Sequence, residues 1–416
     1  METRPIPTKV LYLFTCPDNH LNPLNPLSRI TSPGRIFIPQ IDGLRAVAIL
    51  AVIAFHVRAI CSYHFSGIPE GGVVEGDPVN DTFSIGYLGV QLFFVVSGFI
   101  LSLPFARQWL CGGEQVGLRE YYIRRVTRIE PPYVIHLLFL FLVCCGVLRW
   151  LPSHPHLYQN PAWMEYTVSH ILSSLAYSNV FICGALPYPN IVLWSLEIEV
   201  QFYLLAPFLA LLFKIASARQ RRAWIGALIL LGPAAVRELL PDLYQVQASL
   251  LGHFQFFLAG FLLADFYLLK NIQAESSRNR WWDLVFPTAI ASVVLMRHCF
   301  FLSVLMPWVL LFCCLAAFCG RGTATLLAYP GITTVGGMCY TIYMYHWLMI
   351  SLLVRVTGCL QTHILWIDLL VQFALMSVAI ILISAVLFIL FERPFMRRDW
   401  PGRVLSKLHP PRKPSG

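Results

Sequence analysis

Charged side chains are scarce in this chain of 416 residues, where Asp, Glu, Lys and Arg together make up only 12%. Soluble domains carry about 25% charged residues, whereas 57% of the residues here are hydrophobic. The composition therefore excludes an ordinary soluble domain and indicates a polytopic membrane protein. The formal net charge of +9 does not point to nucleic acid, because the basic residues lie between apolar segments, where membrane topology accounts for them.

The chain also lacks three familiar sequence signals. No CxxC pair occurs among the 12 cysteines; most lie inside apolar runs and are expected to be small buried hydrophobes, so no metal site is predicted. The apolar run at residues 10–14 is too short for a secretory signal peptide, and residues 1–38 are expected to form a cytoplasmic tail. No internal repeat of the transporter type is apparent.

Long apolar segments dominate the rest of the chain. About 20 apolar residues cross a bilayer core, and some 17 suffice inside a bundle. The expected fold is therefore an all-α, polytopic membrane helix bundle with about ten transmembrane helices. The ten candidate spans are residues 43–59, 84–104, 130–149, 192–213, 223–240, 252–270, 282–297, 301–319, 334–354 and 366–391.

The positions of the basic residues predict the orientation. If the N-terminus is inside, 25 of the 30 Lys and Arg residues lie on the cytoplasmic side, which is the bias of membrane proteins. Both termini are therefore expected to be cytoplasmic, with a membrane domain at 39–396 and a basic tail at 397–416. Residues 166–184 hold many polar side chains and are expected to form an interfacial or re-entrant helix, because a span there would reverse every later one.

The first charged stretch inside an apolar segment runs from Asp42 to His56. Eleven residues separate Arg45 from His56, which is about 1100° of helix, so the two side chains share a face about 16 Å apart. Ionisable groups at this depth usually face a protein interior or a wet cavity, and a histidine held there is a candidate general base. The alternative is a helix-packing histidine with an interfacial arginine.

A pair of arginines marks the entry to the third span. Arg125 and Arg128 lie three residues apart and so share a helix face. Paired guanidinium groups suit the bidentate binding of phosphate, which predicts a phosphate-bearing ligand here. Ordinary positive-inside placement is the alternative.

Two carboxylates lie at the start of the fourth span. Glu199 shares its helix face with Ser195 and Tyr203, each four residues away. Glu197 lies about 200° from Glu199 and is expected to serve the helix N-terminus electrostatically. Glu199 is deeper, and it is predicted to meet His56, orient the imidazole and stabilise its protonated form.

The ninth span carries Tyr340, Tyr343 and His346 at successive steps of three residues. This spacing predicts a polar helix face, and the alternative is close packing at the preceding glycines with an interfacial aromatic belt. Asp265 in the sixth span and His136 in the third are expected to be local pairing partners.

Together, in this order, these stretches resemble motifs of the acyltransferase 3 family of integral membrane acyltransferases. The similarity covers roughly residues 36–396. The motifs are Asp42-Gly-Leu-Arg45 with His56, Gly89 to Phe99, Arg125-Val-Thr-Arg128, Trp194 to Tyr203, Tyr340 to His346, and Glu392-Arg-Pro394. The resemblance implies about ten spans and transfer of an acyl group from a cytoplasmic donor, usually acyl-CoA, to a hydroxyl of a carbohydrate or related molecule.

Three departures from the family accompany this resemblance. Glu197 is acidic at an unexpected motif position, and the N-terminal extension is unmatched. No soluble esterase-like domain is expected after the last span, so the chain is expected either to complete the transfer alone or to pass the acyl group to an unknown protein partner.

The resulting hypothesis assigns a role to each candidate residue. Arg125 and Arg128 would hold the phosphates of acyl-CoA, expected to be acetyl-CoA, and Arg45 would bind the donor or polarise its path. His56 would take the proton of a carbohydrate or glycolipid hydroxyl, with Glu199 orienting it. The residues expected to contact substrate are Ser195, Tyr203, Tyr343 and His346.

Two other functions stay open at this point. The same buried charges would serve a transporter or flippase of a sugar or lipid, although the missing repeats count against it. A structural or sensor protein that has lost catalysis is the other possibility. The expected location is the lipid bilayer of a bacterial inner (plasma) membrane.

Overall fold

The computed structural model describes residues 27, 37–66, 78–147, 163–239, 244–270, 272, 277–295, 300–362, 364–397 and 400. The predicted tails at 1–38 and 397–416 lie almost wholly outside these residues. In the described part, regular secondary structure is helical, and a single isolated β-bridge joins Asn279 to Gly320. The chain is therefore all-α, as predicted.

The described ranges contain sixteen α-helices. They are α1 Pro39–Ser66, α2 Pro78–Ser84, α3 Leu88–Cys111, α4 Leu118–Leu142, α5 Trp163–Leu175, α6 Asn179–Cys183, α7 Trp194–Leu209, α8 Ala218–Leu239, α9 Tyr244–Gln247, α10 Leu250–Leu269, α11 Val285–Leu295, α12 Phe300–Cys319, α13 Arg321–Leu327, α14 Pro330–Gly337, α15 Cys339–Thr357 and α16 Leu365–Leu387. Short 3₁₀ segments are Ile85–Tyr87, Ile191–Leu193, Ala210–Lys214, Arg280–Leu284, Gly358–Leu360 and Arg393–Met396, and π-helical turns are Val143–Val147 and Phe388–Glu392.

Seven helical stretches of the described chain are long and apolar enough to cross a membrane. They are Pro39–Phe65, Val79–Cys111, Leu118–Cys145, Ile191–Lys214, Tyr244–Leu269, Cys339–Leu360 and Leu365–Met396. Each coincides with one of the predicted spans, which confirms a polytopic membrane bundle.

The other three predicted spans are less complete in the structure. Residues 223–240 fall mostly within α8, and 301–319 coincide with the shorter apolar helix Val304–Cys319. For residues 282–297, the structure has α11, which is 11 residues long. The count of ten spans and the side of each terminus therefore stay predictions.

Helix α1 lies at the centre of the bundle and packs against α3, α14, α15 and α16. On its other side, α3 packs along α10 and also contacts α7. Helices α3 and α10 are apolar around most of their circumference, which is typical of helices buried on all sides. The predicted re-entrant segment consists of the short helices α5 and α6, of 13 and 5 residues, both shorter than a membrane crossing requires.

The local partners expected for Asp265 and His136 are present in the structure. Both Arg221 and Arg222 direct their Nε atoms to the Asp265 carboxylate at 2.5 Å, and Asp265 is fully buried. The ring of His136 lies 3.1 Å from the amide of Asn190. The Asp265 pairs join α8 to α10, and the His136 pair joins α4 to the residue before the 3₁₀ segment Ile191–Leu193.

Two glycines allow α3 and α10 to approach closely. A Cβ atom at Gly98 would overlap the carbonyl oxygen of Phe257, and one at Gly260 would overlap the carbonyl oxygen of Val95. Since backbone atoms cannot yield, Gly260→Ala is expected to lower the free energy of unfolding by about 1–3 kcal/mol. Thermal unfolding of the purified protein in detergent measures this loss.

The matched control for this substitution is Gly232→Ala. Gly232 lies in α8 with open space around the position of a Cβ atom. Alanine is favoured over glycine in a helix by about 1 kcal/mol, so this variant is expected to be as stable as the wild type or more so. Equal melting temperatures for the two variants would contradict the steric argument.

Candidate active site

A cavity lies between α1, α3, α4, α7 and α15. The empty space within the cavity and at its open mouth is together about 1070 Å³. Seven of the nine residues singled out from the sequence line it, namely Arg45, Arg125, Arg128, Ser195, Glu199, Tyr203 and Tyr343. Residues far apart in the chain are thus gathered around one intramembrane space, as expected of ionisable groups at this depth.

Glu199 is a carboxylate on the cavity wall that is hydrogen-bonded to two hydroxyls. Its Oε1 atom accepts hydrogen bonds from the Oγ of Ser97 at 2.5 Å and from the hydroxyl of Tyr203 at 2.6 Å. The contact with Tyr203 follows the predicted shared helix face. Ser97 belongs to the second-span motif but was not predicted as a site residue, because its partner lies 102 residues away and no local spacing indicates it.

Arg125 and Arg128 present guanidinium groups to the cavity. The guanidinium of Arg125 lies 5.7 Å from the ring centre of Tyr121 and 5.8 Å from that of Tyr203. Among the residues that the structure describes, neither arginine forms a hydrogen bond or an ion pair, so their N–H donors are available to an anionic ligand.

Arg45 differs from these two arginines because it already has a carboxylate partner. Its Nη1 donates to Oδ1 of buried Asp42 at 2.8 Å. The backbone of Asp42 packs directly against Gly336, since a Cβ atom at Gly336 would overlap the Asp42 carbonyl oxygen. This is the close packing at glycines that the sequence left as an alternative for the ninth span. The cavity also contains Glu392, which accepts from Thr341.

A second pair of hydroxyls lies on the same wall. The Oγ of Ser195 and the hydroxyl of Tyr343 are 2.5 Å apart, and the Tyr343 hydroxyl also donates to the carbonyl of Val192 at 3.0 Å. Both side chains are buried. The two residues predicted to contact substrate here therefore form a preorganised polar patch between α7 and α15.

His56 and His346 lie behind this wall and do not line the cavity. Their ring centroids are 5.2 Å apart, and His56 also contacts the ring of Trp347. The Nδ1 of His346 lies 2.7 Å from the carbonyl of Tyr343, while its Nε2 is buried without a partner among the described residues.

The predicted pairing of His56 with Glu199 is not formed in the structure, in which both residues are described. Glu199 bonds Ser97 and Tyr203 instead. The cause is helix packing, because α7 contacts α3 and α10, whereas α1 contacts α15, which carries His346.

Tyr177 lines the cavity and was not predicted as a site residue. It is the one described residue other than glycine with a positive φ, at 52°, a conformation that costs free energy for a bulky side chain. Stacking on Tyr133 at 4.8 Å and a hydrogen bond from Gln201 to its carbonyl hold it in place. Burial, together with the Glu130 carboxylate, raises the pKa of Tyr177, so its hydroxyl stays a donor.

Glu197 anchors the same segment from α7. Its Oε2 accepts a hydrogen bond at 3.0 Å from the backbone N–H of Asn179, at the first turn of α6. This carboxylate thus stabilises the N-terminus of α6, a neighbouring helix. The sequence had predicted that Glu197 would serve the N-terminus of α7, the helix to which it belongs. Within the described ranges, no group of three His, Cys, Asp or Glu residues is arranged to hold a metal ion.

Fold and site together define a polytopic membrane protein with a charged and hydroxyl-rich cavity inside its helix bundle. A family profile described as an acyltransferase domain matches residues 38–389. The chain therefore belongs to the acyltransferase 3 family.

Curated relatives match shorter stretches of the chain. Peptidoglycan O-acetyltransferase OatA of Listeria monocytogenes is 31% identical over 194 residues, 45% of this chain and 26% of the relative. O-acetyltransferase OatA of Staphylococcus aureus is 29% identical over 188 residues, covering 44% and 26%. Putative peptidoglycan O-acetyltransferase YrhL of Bacillus subtilis is 28% identical over 211 residues, covering 49% and 28%.

The matched stretch spans about a quarter of the length of these relatives. No solved structure matches the chain.

Proposed function

We propose that this chain is a membrane O-acyltransferase that moves an acetyl group from cytoplasmic acetyl-CoA to a hydroxyl of a carbohydrate or glycolipid. One observation carries the proposal: a single cavity joins two unpaired arginines to a carboxylate that is hydrogen-bonded to hydroxyls. Family membership supports the reaction class. Because two relatives are named as peptidoglycan O-acetyltransferases, a peptidoglycan hydroxyl at a bacterial plasma membrane is the first acceptor to test.

The donor would bind at the end of the cavity formed by α4. Arg125 and Arg128 lie in its first half, which the charge bias places toward the cytoplasm. Guanidinium groups that form no hydrogen bond or ion pair among the described residues can bind phosphate through two N–H donors at once. Cation–π contacts with the rings of Tyr121 and Tyr203 help to hold Arg125 in position. The thioester would then extend toward Glu199.

The acceptor hydroxyl would lose its proton to a base in the cavity. Glu199 is the base that the geometry favours, because its carboxylate lines the cavity while His56 lies behind Tyr343 and His346. In this arrangement His56 is a positioning residue that acts through His346. Arg45 would stabilise negative charge developing at the carbonyl oxygen.

The donor site is tested first by calorimetry with the purified protein and acetyl-CoA. Replacing Arg125 and Arg128 by alanine removes the two unpaired cations, and binding is expected to weaken at least tenfold, which corresponds to about 1.4 kcal/mol. Binding of this kind also argues against a transporter of uncharged sugar.

The control is the double variant Arg119→Ala/Arg124→Ala on the same helix. These two arginines lie outside the cavity lining, and Arg124 bonds the carbonyl of Glu120. Acetyl-CoA binding is expected to be unchanged in this variant. If both double variants weaken binding equally, general surface charge and not a phosphate site is responsible; if the folded wild type does not bind, acetyl-CoA is not the donor.

A further inference from the structure

Ser97 has a hydrogen-bonding partner that is unusual for a serine inside a helix. Such serines commonly donate to a carbonyl one turn earlier in their own helix, as Ser102 does to Phe99 at 3.2 Å in α3. Ser97 instead donates across the cavity wall to Glu199 on α7 at 2.5 Å. The pairing thus links a hydroxyl to a carboxylate from another part of the chain.

The arrangement around Ser97 has the parts that activate a nucleophile. A hydroxyl becomes reactive when a base lies within hydrogen-bonding distance and a third group orients that base. Glu199 is at that distance, and the Tyr203 hydroxyl orients it by donating to the same oxygen at 2.6 Å. Ser195, in contrast, is paired with the hydroxyl of Tyr343 and has no carboxylate partner among the described residues.

Positive charge lies around the same space. Arg45, Arg125 and Arg128 line the cavity together with Ser97. Attack on a thioester places negative charge on its carbonyl oxygen, and preorganised cations or N–H donors lower the cost of that charge in a site with little water. Base, nucleophile and charge stabilisation are therefore present in one cavity.

We propose that Ser97 is a catalytic nucleophile that carries the acyl group as an ester between two half-reactions; this rests on the function proposed above. In the first, Glu199 takes the Ser97 proton, Oγ bonds to the acyl carbon and the carbon–sulfur bond breaks. Glu199 then passes that proton to the departing sulfur, so that CoA leaves as its thiol and the carboxylate is a free base again. In the second, the acceptor hydroxyl gives its proton to Glu199 and bonds to the acyl carbon. The ester bond breaks and Glu199 returns this proton to the Ser97 Oγ.

A covalent intermediate has a clear advantage in this molecule. The donor is expected from the cytoplasm and the acceptor from the opposite side. With the acyl group stored on Ser97, the two substrates need not occupy the cavity together. Ping-pong kinetics follow from such a mechanism.

The experiment incubates purified full-length protein with acetyl-CoA labelled in the acetyl group, without acceptor, and then denatures it. The wild type is expected to retain label, and peptide mass spectrometry should place one acetyl group on Ser97. Ser97→Ala should retain none, Ser102→Ala should label like the wild type, and Glu199→Gln should label about 10²–10⁴-fold more slowly.

Ser97→Cys separates a chemical role from a structural one. Its label would be a thioester, which neutral hydroxylamine releases, whereas the wild-type ester requires alkaline conditions. A change in the lability of the label with the atom at position 97 is expected only if that atom bears the acetyl group. Calorimetry with acetyl-CoA verifies that each variant is folded.

Two results would overturn the proposal and leave the proposed function intact. One is a wild type that binds acetyl-CoA but carries no label on Ser97. The other is a Ser97→Ala variant that acetylates peptidoglycan strands at the wild-type rate, which indicates direct transfer. If the folded wild type neither binds acetyl-CoA nor transfers from it, the proposed function fails and this inference fails with it.

Discussion

Replacing Glu199 with glutamine is expected to lower the rate of acetyl transfer by about 10²–10⁴-fold, the usual contribution of a positioned base. The amide has the shape of the carboxylate and can still accept hydrogen bonds from Ser97 and Tyr203. It cannot take up a proton at neutral pH. Transfer of label from acetyl-CoA to peptidoglycan strands measures the rate, and acetyl-CoA binding should be retained.

The chain provides a matched control two residues away. Glu197 is also a glutamate near the start of α7, but it bonds the backbone of Asn179 and does not line the cavity. Glu197→Gln keeps an acceptor for that N–H group, so the rate is expected to stay close to that of the wild type. A Glu199→Gln variant as active as Glu197→Gln would remove Glu199 from the chemistry.

The second large effect concerns the two histidines behind the cavity wall. His56→Ala and His346→Ala are each expected to lower the transfer rate by about 10²-fold through loss of positioning, and the double variant should be no slower than the slower single variant. The reason is that His56 contacts His346, which in turn contacts Tyr343 on the cavity wall, and residues acting as one unit lose their effect together.

His253→Ala provides the comparison for this pair. His253 lies in α10 against the ring of Trp194 and outside the cavity lining, so its loss should affect stability more than rate. Multiplicative losses for His56 and His346 in the double variant would mean that the two rings act independently. In that case the series of contacts from His56 through His346 to Tyr343 would not explain their effect on the rate.

Much of the site was predictable because helix periodicity is a local property. The shared faces of Arg125 with Arg128 and of Glu199 with Tyr203 follow from spacing alone, and the structure places all four on the cavity wall. The apolar lengths likewise indicated the seven long helices.

What could not be predicted depends on which helices become neighbours. Periodicity gives the face of His56 but not the helix that packs there, so Glu199 was expected where His346 lies. For the same reason the Ser97 contact was missed. Tyr177 has a left-handed backbone, and no residue type or spacing near it indicates that conformation.

The contact between Gly336 and the first turn of α1 has a consequence for the interpretation of genetic data. Any side chain at this position would displace Asp42, and with it the carboxylate that holds Arg45. A screen for inactive variants would therefore recover Gly336 beside the reactive residues, although it has no functional group. Acetyl-CoA binding by the purified variants would separate structural from reactive positions. A substituted Gly336 displaces Arg45 and should weaken binding, whereas Glu199→Gln leaves the arginines in place and should retain it.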